Sequence, residues 1–250
     1  AALMLAMAAG PLQPTAHAAS IDVDDGMVVM ADDGLCSLRE ALVNASTDSQ
    51  LFATVGECAA GSGDDTINLP VDGDFLVEDG PYSTGYGDFG LAVASPDSVT
   101  IEGNGSTIRR DTADPDEFSI LLAYFVDVTI KEVTISGGSG YFSGGIFAYE
   151  SALTLVDSAI TDNVGYLLGG GVFTIESDVV VQGSTISNNT SGFFGGGMVI
   201  YGGMLEIVNS TVSGNSAEAI GGLAIGIVLG TGSPSTATIT NSTITDNQAT

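Results

Sequence analysis

Two adjacent arginines, Arg109 and Arg110, are the strongest candidates for a catalytic group in this chain. An arginine can serve as the base that removes a proton beside a uronate carboxylate, with Ca²⁺ neutralising that carboxylate. Acidic residues that could hold such an ion follow at Asp111, Asp114, Asp116 and Glu117. The same residue types are typical of a solvated turn between strands, and this is the interpretation that we favour.

A second candidate is the carboxylate pair Asp64 and Asp65. Glycosidases place two carboxylates about 5 to 10 Å apart on one face of the site. Adjacent residues of a strand point to opposite faces, so this pair does not fit that requirement. A turn is again the favoured interpretation.

The N-terminal region carries a cluster of aspartates that could bind Ca²⁺, which prefers carboxylate oxygens. The cluster comprises Asp22, Asp24, Asp25, Asp32 and Asp33. The remaining ligands and the distal glutamate of an EF-hand loop are missing from the sequence. The sequence therefore predicts no cofactor, and Ca²⁺ is only a weak candidate.

Charge excludes one class of partner. The chain has 4 Lys and Arg against 31 Asp and Glu, which gives a net charge of -27. Four cations are too few to replace the counterions around phosphates, so we expect no nucleic-acid binding. Polyanionic polysaccharides would also be repelled unless a divalent cation bridged them.

The first 18 residues have the features of a secretory signal peptide. An apolar run is followed by Ala16-His17-Ala18, the small-residue pattern that precedes cleavage. A basic n-region is missing, so we interpret 1–18 as a leader truncated at its start, with Ala19 or Ser20 as the mature N-terminus. His17 is the only histidine, and its removal leaves no imidazole for catalysis. After Ala18 no stretch reaches the roughly 20 apolar residues of a membrane helix.

Repeats of about 26 residues in the second half of the chain predict the strands that would position any site. Each repeat contains three short runs in which apolar residues alternate, and turn-forming residues separate these runs. One strand repeats at Val128, Leu153, Val179, Leu205 and Ala237. The pattern predicts an all-β fold, a right-handed parallel β-helix of the pectate-lyase type with three-strand coils of about 25–26 residues. We expect this solenoid over 67–250, ending in mid-coil.

Two polar or small positions recur in step with those strands. Asparagine stands at Asn163, Asn189, Asn215 and Asn247, where stacked side chains could form an internal ladder. A glycine pair ends at Gly145, Gly171, Gly197 and Gly222. We expect these glycines to adopt positive φ at a tight corner.

Residues 19–66 are expected to form an N-terminal cap on the solenoid. Ser37 and Glu40 have the spacing of a capping box, and apolar residues at Leu38 and Leu42 predict a short amphipathic helix. In a secreted protein Cys36 and Cys58 are expected to form a disulfide, with two free thiols as the alternative.

The stretch from Cys36 to Ala41 spells C-S-L-R-E-A, which resembles the N-terminal motif of bacterial CSLREA-type secreted β-helix proteins. The coils are similar to the repeats of polymorphic outer membrane proteins, with Ile160, Ile186 and Ile244 where those repeats have Phe. The resemblance implies export and association with the bacterial cell surface. It supplies no catalytic residues.

The sequence thus favours a non-catalytic extracellular or cell-surface stalk with a role in adhesion or surface structure. Its ligand would be an extracellular glycan or a protein. The alternative is a carbohydrate-active enzyme, a polysaccharide lyase or a glycosidase, on a β-helix scaffold. We lean against enzymatic activity and expect purified residues 19 to 250 to leave pectate, alginate and neutral glycans intact.

Overall fold

The chain folds as a parallel β-helix, as the repeats predict. The structure is a computed structural model that describes residues 18–250 except 25, 96, 114 and 227–233. Residues 1–17 of the predicted leader, Asp25 and Asp114 therefore lie outside the described residues. The coils are about 26 residues long, and about five of them are regular.

Four sheets run along the axis of the solenoid, and we number them in the order in which the chain visits them. Sheet 1 consists of Ser20–Asp22, Asp65–Asn68, Val99–Glu102, Asp127–Lys131, Ala152–Val156, Asp178–Gln182, Gly203–Val208 and Ser235–Thr240. Sheet 2 consists of Asp74–Val77, Thr107–Arg110, Thr134–Ser136, Ala159–Thr161, Thr185–Ser187, Thr211–Ser213 and Thr243–Thr245. Sheet 3 consists of the two-residue strands Ser139–Gly140, Val164–Gly165, Thr190–Ser191, Ser216–Ala217 and Gln248–Ala249. Sheet 4 consists of Tyr82–Thr84, Gly87–Val93, Ser119–Tyr124, Ile146–Tyr149, Val172–Ile175, Met198–Tyr201 and Leu223–Ile225.

Every strand pairs in parallel with its equivalent one coil away, except the antiparallel pair Tyr82–Thr84 and Gly87–Val93. Because the register is exact, identical positions lie above one another: Ile135 pairs with Ile160, and Ile160 with Ile186. Stacking therefore forms a buried column of β-branched residues along the axis. The two-residue strands of sheet 3 come in addition to the three strands that the sequence predicts for each coil.

The glycines that end each Gly pair do not have the conformation predicted for them. Gly145, Gly171, Gly197 and Gly222 are not among the residues with positive φ. They are needed because the coils approach closely: a Cβ on Gly145 would lie 2.5 Å from the carbonyl oxygen of Gly171. The left-handed corner positions are occupied instead by residues such as Glu132, which adopts φ 52°.

The recurring asparagines form a buried hydrogen-bonded ladder. Asn163, Asn189 and Asn215 are fully buried. The Nδ2 of Asn189 donates to the Oδ1 of Asn215 at 3.0 Å and to the carbonyl of Ile160 at 2.9 Å. That Oδ1 also accepts from the backbone N–H of Asn189. Each side chain thus satisfies backbone groups that the corner would otherwise leave unpaired.

A second ladder, of serines, lines the corner between sheets 1 and 2. The backbone N–H of Ser158 donates to the Oγ of Ser184, and that of Ser184 donates to the Oγ of Ser210. Ser242 continues the series. The serines recur with the same spacing as the asparagines, but the repeat in the sequence does not by itself show that their side chains form a ladder.

The N-terminal helix runs over Leu38–Thr47 and has a complete capping box. The Oγ of Ser37 accepts from the N–H of Glu40, and the carboxylate of Glu40 accepts from the N–H of Ser37. Leu38, Ala41 and Leu42 are buried in the same core as the coils. The helix therefore covers the apolar interior of the first coil.

Two further contacts connect this cap to the solenoid. The predicted disulfide between Cys36 and Cys58 is confirmed. Arg39 is buried, and its guanidinium donates to the carbonyl of Gly90 and to the carboxylate of Asp79, the latter at 2.6 Å. The arginine of the C-S-L-R-E-A segment thus joins the helix to the first strand pair of sheet 4.

Candidate functional site

The outer face of sheet 4 is apolar, whereas the outer face of a solvated sheet is expected to be polar. In Ile146–Tyr149 the side chains of Ile146 and Ala148 enter the main core. Phe147 points the other way and belongs to a second apolar cluster, against which Tyr149 packs. Sheet 4 is therefore covered with apolar side chains on both faces.

The loops between sheets 3 and 4 fold over part of this outer face. Phe142 stacks on Phe173 with ring centroids 5.8 Å apart. Leu168 is buried in the same cluster, and Phe194 packs against it from the next coil. The loops leave uncovered the edge of sheet 4 that leads into sheet 1.

At that edge three rings form what we call the aromatic patch, namely Tyr124, Phe125 and Tyr149. Tyr124 stacks on Tyr149 at 5.3 Å and meets Phe125 edge to face at 4.4 Å. Phe125 is 49% exposed and Tyr124 is 38% exposed. A recess of about 300 Å³ opens beside them, lined by Ala94, Ser95, Tyr124 and Phe125. Exposed clustered aromatics of this kind mark interaction surfaces on soluble proteins.

Directly beyond the patch lies what we call the acidic trough, an open depression of about 550 Å³. It is lined by Asp127, Glu150, Ser151, Ala152, Glu176 and Asp178. Glu150 and Glu176 occupy equivalent left-handed corner positions in consecutive coils, with φ 46° and 48°. Asp127 and Asp178 both pair with Ala152, whose small side chain leaves the space between them open.

The patch and the trough are joined at Tyr149. A hydrogen bond to the carboxylate of Glu150, together with burial, raises the pKa of Tyr149 to about 12. The phenol donates this hydrogen bond to the carboxylate. This fixes the ring beside the carboxylates.

The four cations of the chain are engaged elsewhere. Arg39 pairs with Asp79, Arg109 with Asp74 and Lys131 with Glu102. Arg110 donates to the carbonyl oxygens of Gly137 and Asp116. Among the described residues, none of these salt bridges includes Asp127, Glu150 or Asp178.

The structure does not bring the two adjacent arginines into one site. Arg109 lies on the outer surface and makes two bonds, of 2.7 and 2.8 Å, to the carboxylate of Asp74. This contact raises the pKa of Arg109 and lowers that of Asp74, so the guanidinium is poorly suited to act as a base. Arg110 is buried, and its guanidinium lies over the ring of Phe118. Its role is therefore structural.

Asp64 and Asp65 also serve separate structural roles. Asp64 accepts from the N–H and the hydroxyl of Ser98, and the backbone bond is the main reason that its pKa is lowered. Asp65 is buried and accepts from the N–H groups of Ala19 and Ser62. Burial raises the pKa of Asp65. Asp64 is exposed to solvent and Asp65 points into the interior, as predicted for adjacent residues of a strand.

Three of the N-terminal aspartates accept local hydrogen bonds. Asp22 accepts from Asn68, Asp24 from the N–H of Cys36, and Asp33 from the N–H of Leu35. Within the described ranges, no three His, Cys, Asp or Glu residues are grouped as a metal site would require.

One further recess contains carboxylates that an enzyme could use. It has a volume of about 250 Å³ and is lined by Gly80, Asp88, Asp116, Glu117 and Phe118. The hydroxyl of Tyr166 is bonded to Glu117, and this bond raises the pKa of Tyr166. Two of these acidic residues, Asp116 and Glu117, belong to the segment that the sequence singles out after Arg110.

Comparison with known proteins identifies the fold. A family model described as a right handed beta helix region matches residues 84–225, more than half of the chain. No curated protein and no solved structure matches the sequence. Within the part that the structure describes, no helix has the length and apolar character needed to cross a bilayer.

Proposed function

This chain belongs to the right-handed β-helix family, and from that premise we propose that it is a non-catalytic stalk of the bacterial cell surface that acts in adhesion. The C-S-L-R-E-A segment and the leader-like residues 1–18 support export, in line with the resemblance to CSLREA-type secreted proteins and to polymorphic outer membrane protein repeats. The ligand is an extracellular protein or glycan. The observation that carries the proposal is the aromatic patch, which leaves large apolar rings in water beside a rigid sheet.

Rigidity favours such a role. The coils are held by parallel ladders in four sheets and by internal side-chain ladders, so the patch residues lie on a fixed scaffold. A rigid aromatic surface loses little conformational entropy when it binds a partner. No general acid or base is free among Arg109, Arg110, Asp64 and Asp65, which supports a role without turnover.

Adhesion is tested with beads coated with the chain and applied to immobilised extracellular matrix and cell-envelope preparations. We expect the wild-type protein to retain beads, and the variant Tyr124→Ser/Phe125→Asn to lose most of this retention. The matched control is Thr129→Ser/Thr154→Ser on the outer face of sheet 1, which should retain beads normally. Equal retention by all three proteins would contradict the proposal.

A second candidate, a carbohydrate-active enzyme, is favoured by the recess containing Asp88, Asp116 and Glu117. Paired carboxylates can act as acid and base in glycoside hydrolysis. Cleavage of pectate, alginate or a neutral glycan by the wild-type protein, lost in Glu117→Gln and retained in Glu132→Gln, would establish this alternative. We expect no cleavage by any of the three proteins.

A further inference from the structure

The outer face of sheet 2 carries a regular array of hydroxyl groups. In each of five consecutive coils the middle residue of the strand is apolar, and the residues on either side of it face outward. One outward column consists of Thr134, Ala159, Thr185, Thr211 and Thr243. The other column consists of Ser136, Thr161, Ser187, Ser213 and Thr245. We call these ten residues the hydroxyl face.

From this array we propose a second binding activity, which goes beyond the adhesive function and does not rest on it. The hydroxyl face binds the surface of ice, so its ligand is crystalline water. Water molecules in ice occupy fixed positions, and a rigid array of hydroxyl groups at a matching spacing can form hydrogen bonds with many of them at once. The spacing, the composition and the support of the face are three separate arguments.

Spacing in two directions is the first argument. Because the strands pair in exact register, the hydroxyl groups of one column repeat at the strand spacing of about 4.8 Å. The two columns lie two residues apart along each strand, which corresponds to about 6.6 Å. These two distances are near the two oxygen repeats on the prism face of hexagonal ice. The hydroxyl face therefore has the repeat of a crystal surface in both directions.

The composition of the face is the second argument. Nine of its ten residues carry a hydroxyl group, which donates and accepts hydrogen bonds as water does. None of the ten, all of which the structure describes, is charged, although the chain has 31 Asp and Glu. The outer face of sheet 1, by contrast, includes Lys131, Asp178 and Glu206. Because a charged side chain orients its hydration shell around itself, its exclusion from sheet 2 favours water in a lattice.

The support beneath the face is the third argument. Sheet 2 lies between the two internal ladders, with the serines at the corner before it and the asparagines at the corner after it. Sheets of many strands normally twist, and side-chain ladders are one means of keeping them flat. Threonine is β-branched, so its χ1 angle is restricted and its hydroxyl group is held in place. The face therefore loses little conformational entropy when it binds.

One position interrupts the face and allows a test that adds to it. Ala159 stands between Thr134 and Thr185 in its column, and a depression of about 370 Å³ lies along these residues. Since the neighbouring coils have threonine at the same register, Ala159→Thr completes the column without changing the net charge.

The experiment grows ice slowly from a dilute solution of the full chain and measures the fraction of protein that enters the ice. Serum albumin in the same solution serves as a protein that does not bind ice. We expect the wild-type chain to be retained in the ice and the albumin to be excluded. The chain should also depress the freezing point of a small ice crystal below its melting point.

Matched variants assign the activity to one sheet. Thr185→Tyr/Thr211→Tyr projects two rings from paired strands of sheet 2, and should lose most of the retention and of the freezing-point depression. Thr129→Tyr/Thr154→Tyr makes the same change on paired strands of sheet 1 and should bind ice normally. Ala159→Thr should increase the freezing-point depression. Tyrosine is favoured in strands, and thermal unfolding verifies that each variant folds.

The proposal is overturned if the wild-type chain is excluded from ice, or if the two tyrosine variants lose retention equally. A folded Ala159→Thr protein that depresses the freezing point less than the wild type does would also overturn it. So would retention on microcrystalline cellulose that Thr185→Tyr/Thr211→Tyr abolishes, because the face would then bind a crystalline glycan. Tyr124→Ser/Phe125→Asn should bind ice normally, so failure of this inference is distinguishable from failure of the adhesive function.

Discussion

The N-terminal cap and the regular coils bury polar groups by different means. In the cap each buried polar side chain has its own unrepeated partner, as when Arg39 donates to the carbonyl of Gly90. In the coils one contact recurs: Asn163, Asn189 and Asn215 make equivalent bonds 26 residues apart. Buried polar groups of the cap therefore depend on individual contacts, whereas those of the coils are hydrogen-bonded by a column of equivalent side chains.

This difference predicts how damage spreads. Loss of one contact in the cap should release the helix Leu38–Thr47 and leave distant coils intact, because each coil contacts only its neighbours. Loss of one ladder residue should weaken the coils on both sides of it. The following predictions test this contrast, from the largest expected effect to the smallest.

The disulfide gives the largest expected effect. Cys36→Ala/Cys58→Ala opens a link between residues 22 apart and should lower the free energy of unfolding by about 3 kcal/mol. Hydrogen exchange should show lost protection in Leu38–Thr47 and little change in Thr185–Ser187. The wild-type protein with its disulfide reduced serves as the control and should behave like the variant. Equal loss of protection in both segments would contradict the proposed independence of cap and coils.

The asparagine ladder gives the next effect. Asn189→Ala leaves the N–H of Asn163 and the carbonyl of Ile160 unpaired in a buried corner, so it should cost about 1 to 3 kcal/mol of unfolding free energy. Asn247→Ala should cost less than half as much, because Asn247 is only partly buried and water can replace its amide. Chemical denaturation measures both values. Equal costs would show that burial in the column does not matter.

A substitution in the core should have the opposite sign. The hydroxyl of Thr174 is buried without a hydrogen-bond partner, although its column otherwise holds Ala148 and Ile200. Thr174→Val keeps the shape and removes the unpaired group, so it should raise the free energy of unfolding by about 1 kcal/mol. Thr154→Val, on the solvated face of sheet 1, is the matched control and should change stability little. A destabilised Thr174→Val protein would contradict this account.

The smallest expected effect is a difference in pH dependence. Burial raises the pKa of Glu40 in the cap, so the folded state binds a proton more readily than the unfolded chain. The contribution of Glu40 to stability should therefore rise as pH falls from neutral toward the ordinary pKa of 4.5. A hydrogen bond from Arg109 lowers the pKa of Asp74 below 3.8, so this contact stabilises above that value and is lost as pH falls further.

Thermal unfolding between about pH 3 and pH 7 tests this difference in sign. Glu40→Gln should remove the gain on mild acidification, and Asp74→Asn should remove part of the loss at the lowest pH. Unchanged pH profiles in both variants would contradict the assignment.

The solenoid could be predicted from the sequence because every coil repeats the same constraints. An inward β-branched residue such as Ile160 and a corner residue such as Asn189 recur at fixed spacing, and each repetition strengthens the prediction. The prediction that the Gly pair adopts positive φ is wrong. Close packing and positive φ both favour glycine, and the sequence does not distinguish these two causes. Only the coordinates reveal that the carbonyl of Gly171 occupies the space where a Cβ on Gly145 would lie.

The candidate site was not predicted, for a physical reason. Alternation predicts one dry face and one solvated face, but Ile146–Tyr149 is apolar throughout, and such a run gives no indication of which side is exposed. The trough depends on Glu150 and Glu176 lying one coil apart, which follows from the three-dimensional register. Arg109 and Arg110 are adjacent in sequence, yet alternation along the strand places them on opposite faces.

Among the described residues, sheet 3 has no strand before Ser139–Gly140, and this has a mechanical consequence. The backbone hydrogen bonds between coils lie along the solenoid axis, so a pull on the two ends loads the interfaces between coils in series. From Ser139 onward, sheet 3 adds backbone hydrogen bonds between successive coils of the described chain, and from Asn163 the asparagine ladder adds side-chain hydrogen bonds. The interface between Asp65–Val93 and Val99–Tyr124 is held by three sheets. Under tension the N-terminal interfaces should rupture at the lowest force, and the disulfide would then keep the cap helix joined to the strand that follows Cys58.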